Sequence, residues 1–311
     1  MEIIRGLHNI RERHRGCVAT IGNFDGVHLG HQAVLQRLVA LSKESGLPSL
    51  LLTFEPYPQE YLRPDPAIAR LTRFREKMMA LRETGLERVL CLRFNSALAG
   101  LEPEQFIEQI LVDALGVTHL VVGDDFRFGK KRRGDFAMLA NFGGVHGFQV
   151  EDTKTIVVAG ERVSSTRVRQ VLETGDMETV ESLLGRPYYL MGRVSHGDKR
   201  GRQIGFPTAN IPIRRRTLPL SGVYAVTVDG AGEHALKGVA NIGNRPTVDG
   251  HSLQLEAHLF DFNRDIYGQH VKVQFMRFIR AEQRFDGIDA LKKQIQKDCE
   301  QAKEFFKKEL H

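Results

Sequence analysis

A chain of 311 residues exceeds the roughly 100–200 residues of an ordinary single domain, so two domains are expected. With 41% hydrophobic and 26% charged residues it is neither a disordered nor a collagen-like chain. No apolar run approaches the roughly 20 residues of a bilayer span, and the polar start MEIIRGLHNIRERHRG does not resemble a signal peptide, so a cytoplasmic protein with no membrane partner is expected. A net charge of +6 and a pI near 9.3 point to an anionic partner without telling nucleic acid from nucleotide. Three widely spaced cysteines, Cys17, Cys91 and Cys299, read as buried reduced thiols rather than a disulfide or zinc framework.

The first 180 or so residues alternate apolar runs with helix-period segments. CVATIG (17–22), SLLLTF (49–54), RVLCLRF (88–94) and THLVVG (118–123) are near-continuously apolar, as strands buried on both faces require. Between them, HQAVLQRLVALSKESG places Val34, Leu35, Leu38 and Leu41 on one helical face and stops at Gly46; a second helix starts at Pro103 and stops at Gly116. This is the pattern of a Rossmann-like, doubly wound α/β domain, in which ligands bind at the carboxyl ends of the strands.

After about Gly185, short alternating strands with Gly, Pro and Asn turns take over: YYLMGRVS, GVYAVTVDG, ALKGVANIG, SLQLEAHLF and HVKVQFMRFI. They predict a small antiparallel β-barrel or sandwich, closed by an amphipathic helix over 288–310 with Ile288, Leu291, Ile295, Cys299, Ala302 and Phe306 on one face. The domains are expected to be 1–184 and 185–311.

The loop after the first strand, GNFDGVHLGHQAVL, sets His28 and His31 three residues apart where a helix begins. Helix starts offer free N–H groups and partial positive charge, and residues three apart share a face, so the pair can hold a phosphate chain; Gly22, Gly26 and Gly30 permit a tight turn and close approach of backbone to nucleotide. SSTRVR (164–169) opens a helix with hydroxyls that cap free N–H groups or meet phosphate oxygens, and with Arg167 and Arg169, which can neutralise pyrophosphate; taken alone it equally describes a capped helix with solvated arginines. TFEPYP (53–58) and GDDFRFGKKRRGD (123–135) combine carboxylates, rings and bases in loops that follow strands.

The HxGH loop resembles the HxGH nucleotidyltransferase superfamily. The set GNFDGVHLGH, TFEP, GDDFRFG and SSTRVR, in that order, resembles the N-terminal half of the prokaryotic bifunctional riboflavin kinase/FMN adenylyltransferase family, the FAD synthetases. By that resemblance His28 and His31 stabilise the transition state of adenylyl transfer, and Gly22, Asn23, Phe24, Asp25, Gly26, Gly30, Ser164, Ser165, Thr166, Arg167 and Arg169 line the nucleotide site. Phe54, Pro56, Asp124, Asp125, Phe126 and Phe128 would meet the flavin or its phosphate.

The second half opens with GRVSHGDKRGRQIGFPTAN, which has glycine spacing and bases suited to phosphate but no Walker A pattern. Thr208 and Asn210 offer hard oxygens to Mg²⁺. Alternation in LQLEAHLF puts Leu253, Leu255, Ala257 and Leu259 on one face and Gln254, Glu256 and His258 on the other. GFPTAN, GVANIGNRPT, LEAHLFDFNRDIYG and RFIRAEQRFDGIDALKKQI together resemble the riboflavin kinase domain of the same family. The resemblance implies that Thr208 and Asn210 bind Mg²⁺–ATP and that Glu256 is general base on the ribityl 5′-hydroxyl. Gly197, Lys199, Gly201, Arg202, Gly205, Phe206, Pro207, Asn244, Arg245, Arg277 and Glu282 would complete the ATP and flavin site. Lys199 stands where the family pattern HGDGRGR has glycine, which stiffens the loop and adds charge. The expected partners are riboflavin, FMN and ATP, with FAD as product and no nucleic acid; the oligomeric state, monomer or weak oligomer, stays open.

Two other readings stand beside this one. An HxGH transferase for another phosphate ester with a regulatory barrel leaves GFPTAN and LEAHLF without a purpose. A nucleic-acid-binding barrel fits the pI, but the chain lacks Trp and clusters its arginines in Gly-rich turns rather than between stacking rings.

Overall fold

The computed structural model describes residues 1–63, 68–197, 204–247 and 250–308, without the side chains of 244–252. Contacts divide it into two compact units, Met1–Ile68 with Arg73–Ser164, and Ala69–Thr72 with Ser165–His311.

The first unit is a parallel sheet of β1 (Glu2–Arg5), β2 (Cys17–Ile21), β3 (Ser49–Glu55), β4 (Arg88–Arg93), β5 (Val117–Gly123) and β6 (Gln149–Thr153), ordered β1-β4-β3-β2-β5-β6. The four apolar runs are its centre: all five residues of β2 are buried, as expected of a strand covered on both faces. β1 and β6 were not expected. As edge strands they are only partly covered, and their sequences, EIIR and QVEDT, carry no apolar run.

Helices α1 (Leu29–Ser45), α2 (Pro58–Leu62), α3 (Phe74–Arg82), α4 (Ser96–Gly100), α5 (Pro103–Phe106) and α6 (Phe136–His146) connect these strands. α1 buries Val34, Leu35 and Leu38 and ends at Gly46, whose φ of 66° is a left-handed cap that glycine adopts without strain. The helix expected over 103–116 begins at Pro103, but after Phe106 it widens into a π-helical stretch over Ile107–Ala114. A short hairpin, β7 (Val157–Val158) with β8 (Glu161–Arg162), ends the unit.

The break at 164/165 lies ahead of the expected 184/185, because α7 (Ser165–Thr174) and α8 (Met177–Leu184) group with the second unit. Their turn sits on β14 (His270–Arg280): a Cβ at Gly175 would lie 2.8 Å from the Phe278 ring. The remaining strands are β9 (Tyr188–Arg193), β10 (Ala209–Ile213), β11 (Gly222–Asp229), β12 (Leu236–Thr247) and β13 (Gly250–Leu259). They form an antiparallel sheet ordered β10-β13-β12-β11-β14-β9. A bridge between Ser195 and Asn210 brings its two edges together, so the sheet nearly closes. Leu255, Ala257 and Leu259 are buried on one face of β13 while Gln254, Glu256 and His258 are half-buried on the other, the alternation read from sequence.

Helix α9 (Ile288–Lys308) covers Val223, Ala225 and Val239 with Cys299, Ala302 and Phe306. The expected stripe fails at its start: Ile288 is 67% exposed and takes no part in the cluster that Cys299, Ala302 and Phe306 form with the strands. Asp298, buried within the helix, accepts Nε and Nη2 of Arg280 at 2.8–3.1 Å and fastens α9 to β14. The three cysteines are buried free thiols; burial pushes Cys17 up to about 12 and Cys299 up to about 11.

Candidate active sites

In the first unit the strand order reverses between β2 and β5, and the loops after β3, β2 and β5 leave three adjacent strands at their carboxyl ends. That topological switch point is where an open parallel sheet forms its ligand crevice. The sequence motifs TFEPYP, GNFDGVHLGH and GDDFRFG are those three loops, so the fold brings together what the chain separates by about a hundred residues.

His28 is the N-cap of α1, its ring nitrogen accepting the His31 N–H at 3.3 Å. The two imidazoles stack with centroids 3.6 Å apart, and Phe24 stacks on His31 at 4.6 Å. Gly30 sits close between them: a Cβ there would lie 3.2 Å from the His28 ring, a tight contact, and 3.5 Å from the Val163 carbonyl. The same contact brings the residue before Ser164 beside the HxGH turn. Burial, with His28 and Lys77 adding repulsion, holds His31 well below the usual imidazole range. A neutral His31 at neutral pH can donate one hydrogen bond to a phosphate oxygen, and its buried Nδ1 has no hydrogen-bond partner among the described residues. Asn23 Oδ1 is in the same position.

The loop is strained. Phe24 and Val27 have φ of 50° and 45°, left-handed values that cost a residue with a Cβ about 1–3 kcal/mol each. Both side chains are buried in the core beneath α1, which holds them there. Asp25 is buried and accepts the Tyr57 hydroxyl at 3.2 Å. Lys77, on α3, is wholly buried; its ammonium donates to the Asn23 carbonyl at 3.0 Å and to Thr53 Oγ1 at 3.2 Å. Lys77 was not singled out from sequence, and Tyr57 lies within TFEPYP but was not named among the expected site residues.

Around the rim, Phe54 packs edge-on against Phe94 at 5.9 Å, and Pro56 follows Glu55 through a cis bond. Asp124 and Asp125 pair with Arg162 at 3.3 and 2.8 Å. Phe126 stacks on Phe128, but Phe128 is buried in the sheet core and serves packing before any ring contact. Three of the five bases of RFGKKRR form surface ion pairs: Arg127 with Asp135, and Lys130 and Arg133 with Glu102. Ser165, Thr166, Arg167 and Arg169 lie on the first turns of α7, within the second unit, where Arg169 Nε donates to the Ala69 carbonyl at 2.6 Å.

In the second unit, Glu256 stands in register between Asn210 on β10 and Asn241 on β12, so three polar side chains share one row of the sheet. Asn210 is buried, accepts Gln254 Nε2 at 2.6 Å and donates to the Thr208 carbonyl at 3.4 Å. Gly197 is needed beside it, since a Cβ would collide with the carboxamide. Glu282 lies over the Gly243 backbone and accepts from Asn241 at 3.4 Å, which brings it to the same row. A cavity of about 330 Å³ opens at Thr208 and Asn210, with Gly197, Pro207, Arg264 and Tyr267 among its walls. Phe206 packs edge-on to His258, whose Nδ1 is 2.8 Å from the Pro207 carbonyl, while Gly205 turns with a φ of 89°. Arg277, on β14, is three strands from Glu256 and lies against Phe305 of α9. Lys199, Gly201 and Arg202, and the side chains of Asn244 and Arg245, fall outside the described residues.

A parallel sheet with a stacked HxGH pair at its switch point defines a nucleotidyltransferase of the HxGH class, joined to an antiparallel domain with a polar row and an adjoining cavity. Residues 10–167 match the family model described as FAD synthetase, and residues 184–306 the one described as riboflavin kinase. The bifunctional riboflavin kinase/FMN adenylyltransferase of Escherichia coli K12 is 52% identical over 98% of each chain. The proteins of that name from Pseudomonas fluorescens and Haemophilus influenzae are 51% and 48% identical, covering 97% and 98% of this chain and 97% and 99% of their own. The chain belongs to the bifunctional riboflavin kinase/FMN adenylyltransferases. A solved Streptococcus pneumoniae structure, described as a macrolide-efflux protein, has a TM-score of 0.84 at 30% identity and covers 96% of this chain and 97% of its own. Among the described residues no helix is long and apolar enough to cross a membrane.

Proposed function

We propose that the two reactions of this bifunctional enzyme, phosphorylation of riboflavin to FMN and adenylylation of FMN to FAD, run at the two sites described above. The single observation that carries the assignment is the stacked His28–His31 pair at the switch point, with His28 buried and His31 half-buried. In the adenylyl transfer the FMN phosphate attacks the α-phosphate of ATP and pyrophosphate leaves. No protein nucleophile is needed, so the catalytic contribution is positioning and charge stabilisation. Neutral His31 donates to a phosphate oxygen; His28, held by the helix start it caps, presents its other nitrogen beside it. Ser164, Ser165, Thr166, Arg167 and Arg169 take the departing pyrophosphate, and Phe54, Pro56 and Phe126 the flavin side.

At the kinase site Glu256 removes the proton of the ribityl 5′-hydroxyl as that oxygen attacks the γ-phosphate of ATP, releasing ADP. The cavity at Thr208 and Asn210 adjoins the row that holds Glu256. The Thr208 hydroxyl and Asn210 carboxamide are hard oxygens, which suits Mg²⁺, and those two residues would hold it. Bound there with ATP, Mg²⁺ supplies neutralisation of phosphate charge.

The functional boundary is taken at 184/185, giving domains 1–184 and 185–311; what supports it is that the riboflavin kinase match begins at 184. The chain is read as cytoplasmic, acting on riboflavin, FMN and ATP without nucleic acid or membrane. In favour of this, three of the five RFGKKRR bases pair with the chain's own carboxylates. Incubation with riboflavin, ATP and Mg²⁺ and chromatography of flavins over time tests the scheme: FMN should appear before FAD. FAD without an FMN intermediate, or neither product, would overturn it.

A further inference from the structure

We propose that Lys77 is a positioning residue for adenylylation, an internal ammonium that holds the HxGH loop in its strained form and sets the electrostatics of the histidine pair. The inference rests on the reading that the first site adenylylates FMN. A lysine with no exposed surface has lost its hydration, and such a group stays charged only where its environment replaces the lost water. Lys77 reaches three pieces of chain that converge on the site. It donates to the Asn23 carbonyl, in the loop that carries His28 and His31, and to Thr53 at the end of β3. Its Nζ also lies 4.8 Å from the centroid of the Tyr57 ring, whose hydroxyl binds Asp25 of the same loop.

The grip falls where it is needed. Asn23 immediately precedes Phe24, the first left-handed residue, and Val27 is the second such residue that carries a side chain. An anchor at the Asn23 carbonyl fixes where the strained segment begins, while the core beneath α1 holds the Phe24 and Val27 side chains. The charge has a second effect. Among the described residues, His28 from its own turn and Lys77 from α3 are charged or titratable groups that act on His31, and both disfavour its protonation. His31 therefore meets the triphosphate as a neutral hydrogen-bond donor near a buried ammonium, so no positive charge need be created on it during transfer.

The test uses the full chain and Lys77→Met, with Lys77→Arg as the variant that keeps the charge. Riboflavin phosphorylation in the same chain reports folding of the remainder, and FAD formation from supplied FMN is measured separately. Lys77→Met should lower kcat for FAD formation about 10²-fold, the scale of a misplaced catalytic group, with a smaller change in the KM for ATP. Histidine NMR gives the readout that a structural role alone does not move. The His31 titration should shift upward in Lys77→Met, because a neighbouring cation is gone, and return toward wild type in Lys77→Arg. Lys77→Gln, which keeps a donor for the Asn23 carbonyl without the charge, carries the same NMR test if the methionine chain does not fold. FAD formation within about threefold of wild type in Lys77→Met, or an unmoved His31 titration in either neutral variant, overturns the proposal. Failure of the wild-type chain to form FAD from FMN would instead refute the assignment of the site.

Discussion

Removal of the Asp298 carboxylate tests how the terminal helix supports the kinase site. Asp298 is 2% exposed and accepts two donors from Arg280 and one from Gln294, the last at 2.9 Å. Breaking a buried ion pair by deleting one partner costs about 3–5 kcal/mol, since the remaining charge is left without compensation. The Arg280 side chain keeps 19% exposure and a bond to the Ala281 carbonyl, so the lower end, about 3 kcal/mol, is expected for Asp298→Ala. In a unit of about 150 residues that corresponds to a loss of about 6–12 °C in Tm. Helix α9 covers Val223, Ala225 and Val239 on the face that also holds Asn241 and Glu256, so the kinase site loosens with it. Calorimetry gives the transition, and FMN formation should fail at a correspondingly lower temperature than in the wild-type chain. The pair Arg280→Met with Asp298→Leu should recover most of the loss, because apolar replacement removes both charges together. A single variant melting within about 2 °C of wild type, or a double variant no better than the single, would refute the reasoning.

The combined substitutions His28→Ala and His31→Ala should stop FAD formation while FMN accumulates from riboflavin; loss of both products in a folded chain would count against separate sites. Glu256→Gln should slow riboflavin phosphorylation by about 10²–10⁴-fold and leave FAD formation from FMN intact, as measured by initial rates on each flavin. The thiols set an alkaline limit. Cys17, Cys91 and Cys299 are all raised by burial from an ordinary value of 9.0, so above pH 9 the unfolded chain loses protons that the folded chain keeps. Each such group favours unfolding by up to about 1.4 kcal/mol per pH unit between its two values, and the urea midpoint should fall as pH rises from 9 to 11. A flat midpoint over that range would show that the thiols are not buried as described.

Much of the fold is legible in the order of residues because burial on both faces leaves a continuous apolar run, as in CVATI and SLLLTF. The edge strands β1, β6 and β10 leave weaker traces, since a strand with one neighbour or one covered face tolerates Glu, Gln, Asp and Pro. The opening turn of α9 shows the converse: Ile288 fits the helical stripe, but periodicity says which residues share a face, not whether anything covers them. The HxGH loop was readable because its chemistry lies within four consecutive residues at a helix start, where local geometry alone places both rings.

Thr53 and Tyr57 lie within the TFEPYP motif, but Lys77 comes from a separate element, and only the packing of α3 under the β2–α1 loop turns an ordinary lysine into an internal cation. In the same way, Glu256 is one carboxylate on an alternating strand until the register with β10 and β12 sets Asn210 and Asn241 beside it. Sequence by itself determined the two domains' classes and the contiguous motifs, because those depend on local geometry and burial periodicity. The tertiary structure decided which distant side chains complete each site and which bases are already paired, because those depend on distances between elements that no local pattern encodes.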